Sequence, residues 1–234
     1  MLPPDLQTAE TEALAALRSA LAVSARGRWT LELRFEGLRL LPVVLRLAGE
    51  LQASGMAIQL LFPDAGAAAL ARRDGPDLAD RIATFADHQR SQAVTPSGDD
   101  SPANVLILVG ASQAEYASVE SVCQAHPGRA VLVNPALEDA AVGIGSVGRE
   151  RRRGFLAGWE AAYALIPLTG SALRRAHPHD WELYRLDPDG YRLAASFDHR
   201  PDGEERDGAL EGGGSGGIGM TLRSVDRLLD GLQR

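Results

Sequence analysis

The spacing of apolar positions divides the first half of the chain into alternating helices and strands. Leu6, Leu14, Leu17 and Leu21 recur near one helical face and Gly27 follows, which predicts an amphipathic helix over residues 5 to 25. Trp29, Leu31, Leu33 and Phe35 then alternate with Thr30, Glu32 and Arg34, the period of a half-buried strand. Leu41, Val44, Leu45, Ala48 and Leu51 return to helical spacing, with Pro42 in the first turn and Gly55 past the end. Met56 to Phe62 reads as a second strand, and Ala67 to Arg73 as a short helix after the turn Pro63-Asp64-Ala65-Gly66.

Val105-Leu106-Ile107-Leu108-Val109 is apolar at every position, as a strand covered on both faces must be, and it is the predicted central strand. Ser112-Gln113-Ala114-Glu115 has capping-box spacing, so a helix is expected from there to Ala125, before the strand Ala130 to Val133. Beyond residue 150 the segments Glu160 to Ile166, Ala172 to His177, Trp181 to Leu186 and Tyr191 to Phe197 are short and closely spaced, which suggests antiparallel strands. The expected fold is α/β: a Rossmann-like three-layer core with a mostly parallel sheet, extended by antiparallel strands in the C-terminal third. One domain over residues 1 to 205 is expected, with a mobile loop at 90 to 103. A glycine-rich linker at 206 to 217 and an amphipathic helix at 218 to 234 would follow, the latter marked by Leu222, Val225, Leu228, Leu229 and Leu232.

Composition narrows the function classes. All 24 basic residues are arginine; the net charge of the 234 residues is -7, which argues against a general nucleic-acid binder because that affinity comes from excess positive charge. The single cysteine, Cys123, excludes an intramolecular disulfide and lies in an apolar helical run, where a buried thiol is expected. The N-terminal residues lack the basic and apolar regions of a signal peptide, and no apolar stretch approaches the roughly 20 residues of a membrane span. A cytoplasmic protein is the expectation, with any membrane association peripheral.

Candidate chemistry concentrates in loops. Ligands of open parallel α/β sheets bind beyond the carboxyl ends of the strands. That rule selects Asp64 and Gly66, Gly110 and Ser112, and Asn134 with Glu138 and Asp139, although these residue types serve equally as turns and caps. Gly143-Ile144-Gly145-Ser146-Val147-Gly148 matches the letters of a dinucleotide-binding glycine pattern. The context does not fit, because Asn134 to Val142 intervenes after the strand and no later strand supplies the ribose-binding acid. Gly143 and Gly145 with Arg149, Arg152 and Arg153 could still approach an anionic small molecule or acidic partner closely, or simply begin a solvated helix. His177-Pro178-His179-Asp180, with His199 farther on, lacks cysteine support for a metal site, so neither metal nor cofactor is assigned. No best-marked motif for phosphoryl transfer, acyl transfer, metalloproteolysis or thiol redox chemistry is present, and no catalytic residue is assigned.

Three separated segments carry a resemblance: Leu61 to Asp74 (LFPDAGAAALARRD), Asn134 to Asp139 (NPALED) and Phe197 to Pro201 (FDHRP). Across roughly residues 2 to 205 the chain resembles an uncharacterised domain-of-unknown-function family of cyanobacteria and chloroplasts. Its plant members include the Low Photosystem II Accumulation proteins, which assist assembly of the CP-forty-three antenna subunit, and a related domain follows the kinase domain of a plastid adenylate kinase. The resemblance implies a non-enzymatic accessory factor of oxygenic photosynthesis, with a photosystem II subunit or assembly protein as partner and a peripheral place at the thylakoid membrane. It brings no catalytic residues, and a transit peptide like that of the plant members is not expected here. The alternative drawn from the residues is a nucleotide- or phosphate-binding α/β domain, with the ligand lying across the loops at Asp64, Ser112 and Gly143.

Overall fold

The computed structural model describes residues 1–94, 105–137 and 154–212. The expected helix at 218 to 234 lies outside the described residues, as do positions 213 to 217 of the expected linker. By its contacts the described chain divides into two compact units. The larger comprises Pro3–Ile166 with Arg175–His179, and the smaller Met1–Leu2, Pro167–Arg174 and the described residues from Asp180.

In the larger unit, α1 (Leu6–Val23), α2 (Leu40–Ala53), α3 (Ala65–Asp74), α4 (Phe85–Val94) and α5 (Tyr116–Ala125) alternate with β1 (Arg28–Leu33), β2 (Ile58–Phe62), β3 (Ile82–Thr84), β4 (Val105–Val109) and β5 (Arg129–Val133). A sixth strand, β6 (Glu160–Leu168), belongs to this unit as far as Ile166. All pairings here are parallel, in the order β3-β2-β4-β5-β1-β6. β6 was expected among the antiparallel additions, yet it lies parallel to β1, with Trp29 opposite Glu160 and Leu33 opposite Leu165. Its close spacing to the next strands misled, because an apolar strand reads alike in either pairing and only the route of the connection decides its direction.

Helices cover both faces of this sheet, so the three-layer arrangement holds. Alternate residues of the strands, Leu61, Leu106, Leu108, Ala130 and Leu132, pack with Phe85 of α4 and with Tyr116, Val119, Val122 and Cys123 of α5. The intervening residues Leu60, Ile107 and Val131 are equally buried toward the opposite face, where α1, α2 and α3 pack against one another and the strands. Each fully buried leucine contributes about 1.5–3 kcal/mol, so the two faces together supply the main driving force.

β1 departs from its expected pattern. Glu32, placed by alternation on a wet face, is only 2% exposed, and Arg34 pairs with its carboxylate at 2.8 Å. At the amino end of the same strand Arg28 donates to the carbonyls of Cys123, His126 and Gly128 at 2.9, 3.0 and 2.7 Å. A cation there satisfies carbonyls at the end of α5 and complements its dipole.

β3 and α4 have no counterpart in the expected elements. The loop expected from residue 90 starts later, since α4 runs to Val94, held by Arg90 and Ser91 bonding back to Asp87 and by Gln89 bonding to Ser121. Positions 95 to 103 of that expected loop lie outside the described residues.

In the smaller unit β8 (Trp181–Asp187) pairs antiparallel with β7 (Ser171–Ala176) and with β9 (Gly190–Phe197), as the short spacing predicted. The Asp187–Gly190 turn closes the second hairpin, with Gly190 at φ +124. A helix, α6 (Gly203–Gly212), occupies the first part of the expected linker. Its start is fixed by Asp202 and Glu205, which each accept the other's backbone N–H at 2.9 Å, and this reciprocal capping outweighs the glycines that suggested a linker.

Candidate functional site

Connections in the larger unit leave the sheet toward opposite faces. β1 and β2 lead to α2 and α3 on one side, while β4 leads to α5 on the other. After β5 the chain reappears with Phe155, Leu156 and Trp159 packed on the α5 side. Neighbouring strands therefore part company at β2/β4 and at β1/β5, and such switch points open the crevices in which α/β sheets hold ligands.

At β2/β4 the expected residues are present and occupied by the chain's own backbone. The Asp64 carboxylate is the N-cap of α3 and accepts the N–H of Ala67 at 2.9 Å, with Gly66 in the first turn. Ser112 accepts the N–H of Ala114 at 3.3 Å and donates from Oγ to Glu115 Oε2 at 2.5 Å, while Glu115 also accepts the Ser112 N–H at 3.0 Å, completing the capping box. Gly110 sits at φ +61, a conformation that suits glycine, as β4 turns toward this cap.

The β1/β5 switch point is clipped shut. Asn134, with φ 47, accepts the Leu33 N–H on Oδ1 and donates from Nδ2 to the Leu33 carbonyl, both at 2.7 Å. Its amide thus continues the ladder between β5 and β1 past the end of the strands. Beside it Arg34 reaches Glu32 at 2.8 Å and the Pro135 carbonyl at 2.6 Å, which compensates the buried Glu32 carboxylate. Of the remaining expected positions, Glu138, Asp139, Gly143, Gly145, Arg149, Arg152 and Arg153 lie outside the described residues.

A different opening lies farther along the same carboxyl edge, past the end of β1 and beside Leu165 of β6. Its walls are Phe35, Leu38, Pro42, Val43 and Leu165, with Pro3, Pro4 and Leu6 at the start of α1, and it is an open cleft of about 530 Å³. Gly37, at φ +73, turns the chain between β1 and α2. Four charged groups stand around the cleft: Asp5, Glu36, Arg39 and Arg46. Asp5 caps α1 by accepting the Thr8 N–H at 2.7 Å, and that bond holds its carboxyl below the usual range. Arg46 is bound in a bidentate pair to Glu10 at 2.6 and 2.8 Å. Arg39 and Glu36 are exposed and make no hydrogen bond or ion pair with any described residue. Arg46 and Leu6 also line a second groove of about 790 Å³ between α1 and α2.

Arg39 and Glu36 were not among the residues selected from the sequence. The rule that picked the loops after β2, β4 and β5 applies equally to the loop after β1. The signal was the exit Phe35-Glu36-Gly37-Leu38-Arg39, an aromatic residue and two charges around a glycine.

The other chemistry-bearing side chains are structural in character. Cys123 is 1% exposed and burial pushes its thiol up to about 12, which keeps it protonated and unreactive. His177 lies edge-on to Trp29 with 5.3 Å between ring centroids, and its Nδ1 is 3.2 Å from Ser19 Oγ; burial lowers its pKa, aided by Arg175. His199 is bracketed by Asp198 at 2.6 Å and Glu205 at 3.0 Å, and its pKa is raised, first by the Asp198 bond and then by Glu205. Among the described residues no group of three or more His, Cys, Asp or Glu is arranged to hold a metal ion. No described helix is long and apolar enough to cross a membrane.

No curated protein matches the chain. The family model described as Domain of unknown function (DUF1995) matches residues 3–208, and the chain belongs to that family.

Proposed function

We propose that the protein is a non-enzymatic accessory factor of oxygenic photosynthesis that assists the assembly or accumulation of photosystem II, acting by binding a partner. The observation that supports a binding role over catalysis is the use made of the strand-end side chains: Asp64, Ser112 and Asn134 all hold backbone groups of the chain itself. A catalytic acid, base or nucleophile must have its polar atoms within reach of a substrate. Asp64 and Asn134 also lie in two of the segments that resemble the cyanobacterial and chloroplast proteins. The photosystem assignment rests on the resemblance alone.

The test is co-purification from detergent-solubilised thylakoids of the source organism, together with photosystem II levels in a deletion strain. Recovery of a photosystem II subunit or assembly protein, with reduced photosystem II in the deletion strain, is expected. Recovery of soluble proteins only, with normal photosystem II, would overturn the proposal. The competing reading, a nucleotide or phosphate ligand across the loops at Asp64 and Ser112, predicts that such a ligand at 100 times its dissociation constant stabilises the fold by about 2.7 kcal/mol. Absence of any thermal shift with nucleotides and sugar phosphates would remove it.

A further inference from the structure

We propose that the cleft past the end of β1, beside Leu165 of β6, is a binding site for a small amphipathic carboxylate, whose apolar body lies on Phe35, Leu38, Val43 and Leu165 and whose head group pairs with Arg39. This goes beyond the accessory role and stands or fails independently of it. The cleft, about 530 Å³, falls within the size range of small-molecule sites, and like them it joins apolar walls to a few polar groups. An apolar body is thereby favoured over water.

The charged groups select the head group. Arg46 already has both carboxylate oxygens of Glu10, and Asp5 is committed to the first turn of α1. Arg39 is the cleft's unengaged cation among the described residues, and a guanidinium binds a carboxylate in a two-bond fork. Glu36, also unengaged, lines the same cleft. Its negative charge disfavours a second charge on the ligand, so a singly charged carboxylate is preferred to a dianionic phosphate. Two arginines and two carboxylates leave the lining formally neutral, which matches a ligand whose affinity comes mainly from its apolar part.

Calorimetric titration of the full chain with decanoate, decyl phosphate, the neutral decyl glucoside and inorganic phosphate tests this. Decanoate should saturate one site and bind more tightly than decyl phosphate or the glucoside, while inorganic phosphate should give no saturable heat. R39Q, an exposed change that leaves the fold intact, should weaken decanoate by about tenfold, the size of a lost bond to a charged group. E36Q should narrow the preference for decanoate over decyl phosphate, and L38W should block binding by filling the cleft. The proposal is overturned by no saturable decanoate binding, by equal affinity in wild type and R39Q, or by inorganic phosphate binding as well as decanoate does.

Discussion

Along one edge of the parallel sheet, two groups of loops use similar polar residues in opposite ways. At the ends of β2, β4 and β5, Asp64 and Ser112 turn their polar atoms back to cap the following helices, and Asn134 clips β5 to β1. Past the end of β1, Arg39 and Glu36 stand beside an apolar cleft without such engagements among the described residues. A strand-end position therefore does not by itself make a polar residue a ligand contact. What matters is whether the backbone nearby already needs its hydrogen bonds, since an unmet backbone group in a protected place costs more than a ligand contact forgone.

Substitutions can break this contrast, and the largest effect is expected at Asn134. N134A leaves the Leu33 N–H and carbonyl without their side-chain partner and puts a Cβ-bearing, non-amide residue at φ 47, so a loss of about 2–4 kcal/mol is expected in urea unfolding. N134G relieves the backbone strain without restoring the bonds and should recover only a minor part. A loss below about 1 kcal/mol for N134A would mean that the clip does not hold β5 to β1.

D64A and S112A should each cost about 1 kcal/mol, the usual value of an N-cap, and their effects should add because they cap different helices. If either change instead stabilised the protein, that residue would be better read as held in place for a ligand. R39Q should change stability by less than about 0.5 kcal/mol, since no contact with the described residues is lost. A larger loss in thermal unfolding would assign Arg39 a structural role and dissolve the contrast.

The smallest effect lies in the other unit, at His199. Its pKa is raised above its ordinary 6.5 by Asp198 and then Glu205. The imidazolium's stabilising contribution is thus fully present below pH 6.5 and is lost as pH rises through the raised folded-state value. An NMR titration of the imidazole should give a midpoint above 6.5 that falls in E205Q. A midpoint at or below 6.5 in the wild type would show that the bracket is not formed in solution.

The strand-end loops were legible in the sequence because their signals are local. Capping-box spacing located Ser112 and Glu115, and the turn after Phe62 located Asp64, with no knowledge of neighbouring strands. Asn134 was found for its position, but its partner Leu33 lies 101 residues away and could not be read from spacing. The burial of Glu32 escaped for the same reason, since alternation reports a strand's two faces but not what covers them. The cleft was missed because its walls come from α1, α2, β6 and the exit of β1, four segments brought together only by the strand order.

The sequence by itself determined the local elements. The unbroken apolar run of β4 announced a strand covered on both sides, and the helical periods of α1 and α2 announced helices with one apolar face to bury. These follow from side-chain geometry within a few residues. Only the tertiary structure decided that β1 lies between β5 and β6, that β6 runs parallel to it, and that Asn134 serves the backbone while Arg39 does not. Those outcomes depend on which distant segments become neighbours, and that is set by the burial of both sheet faces at once.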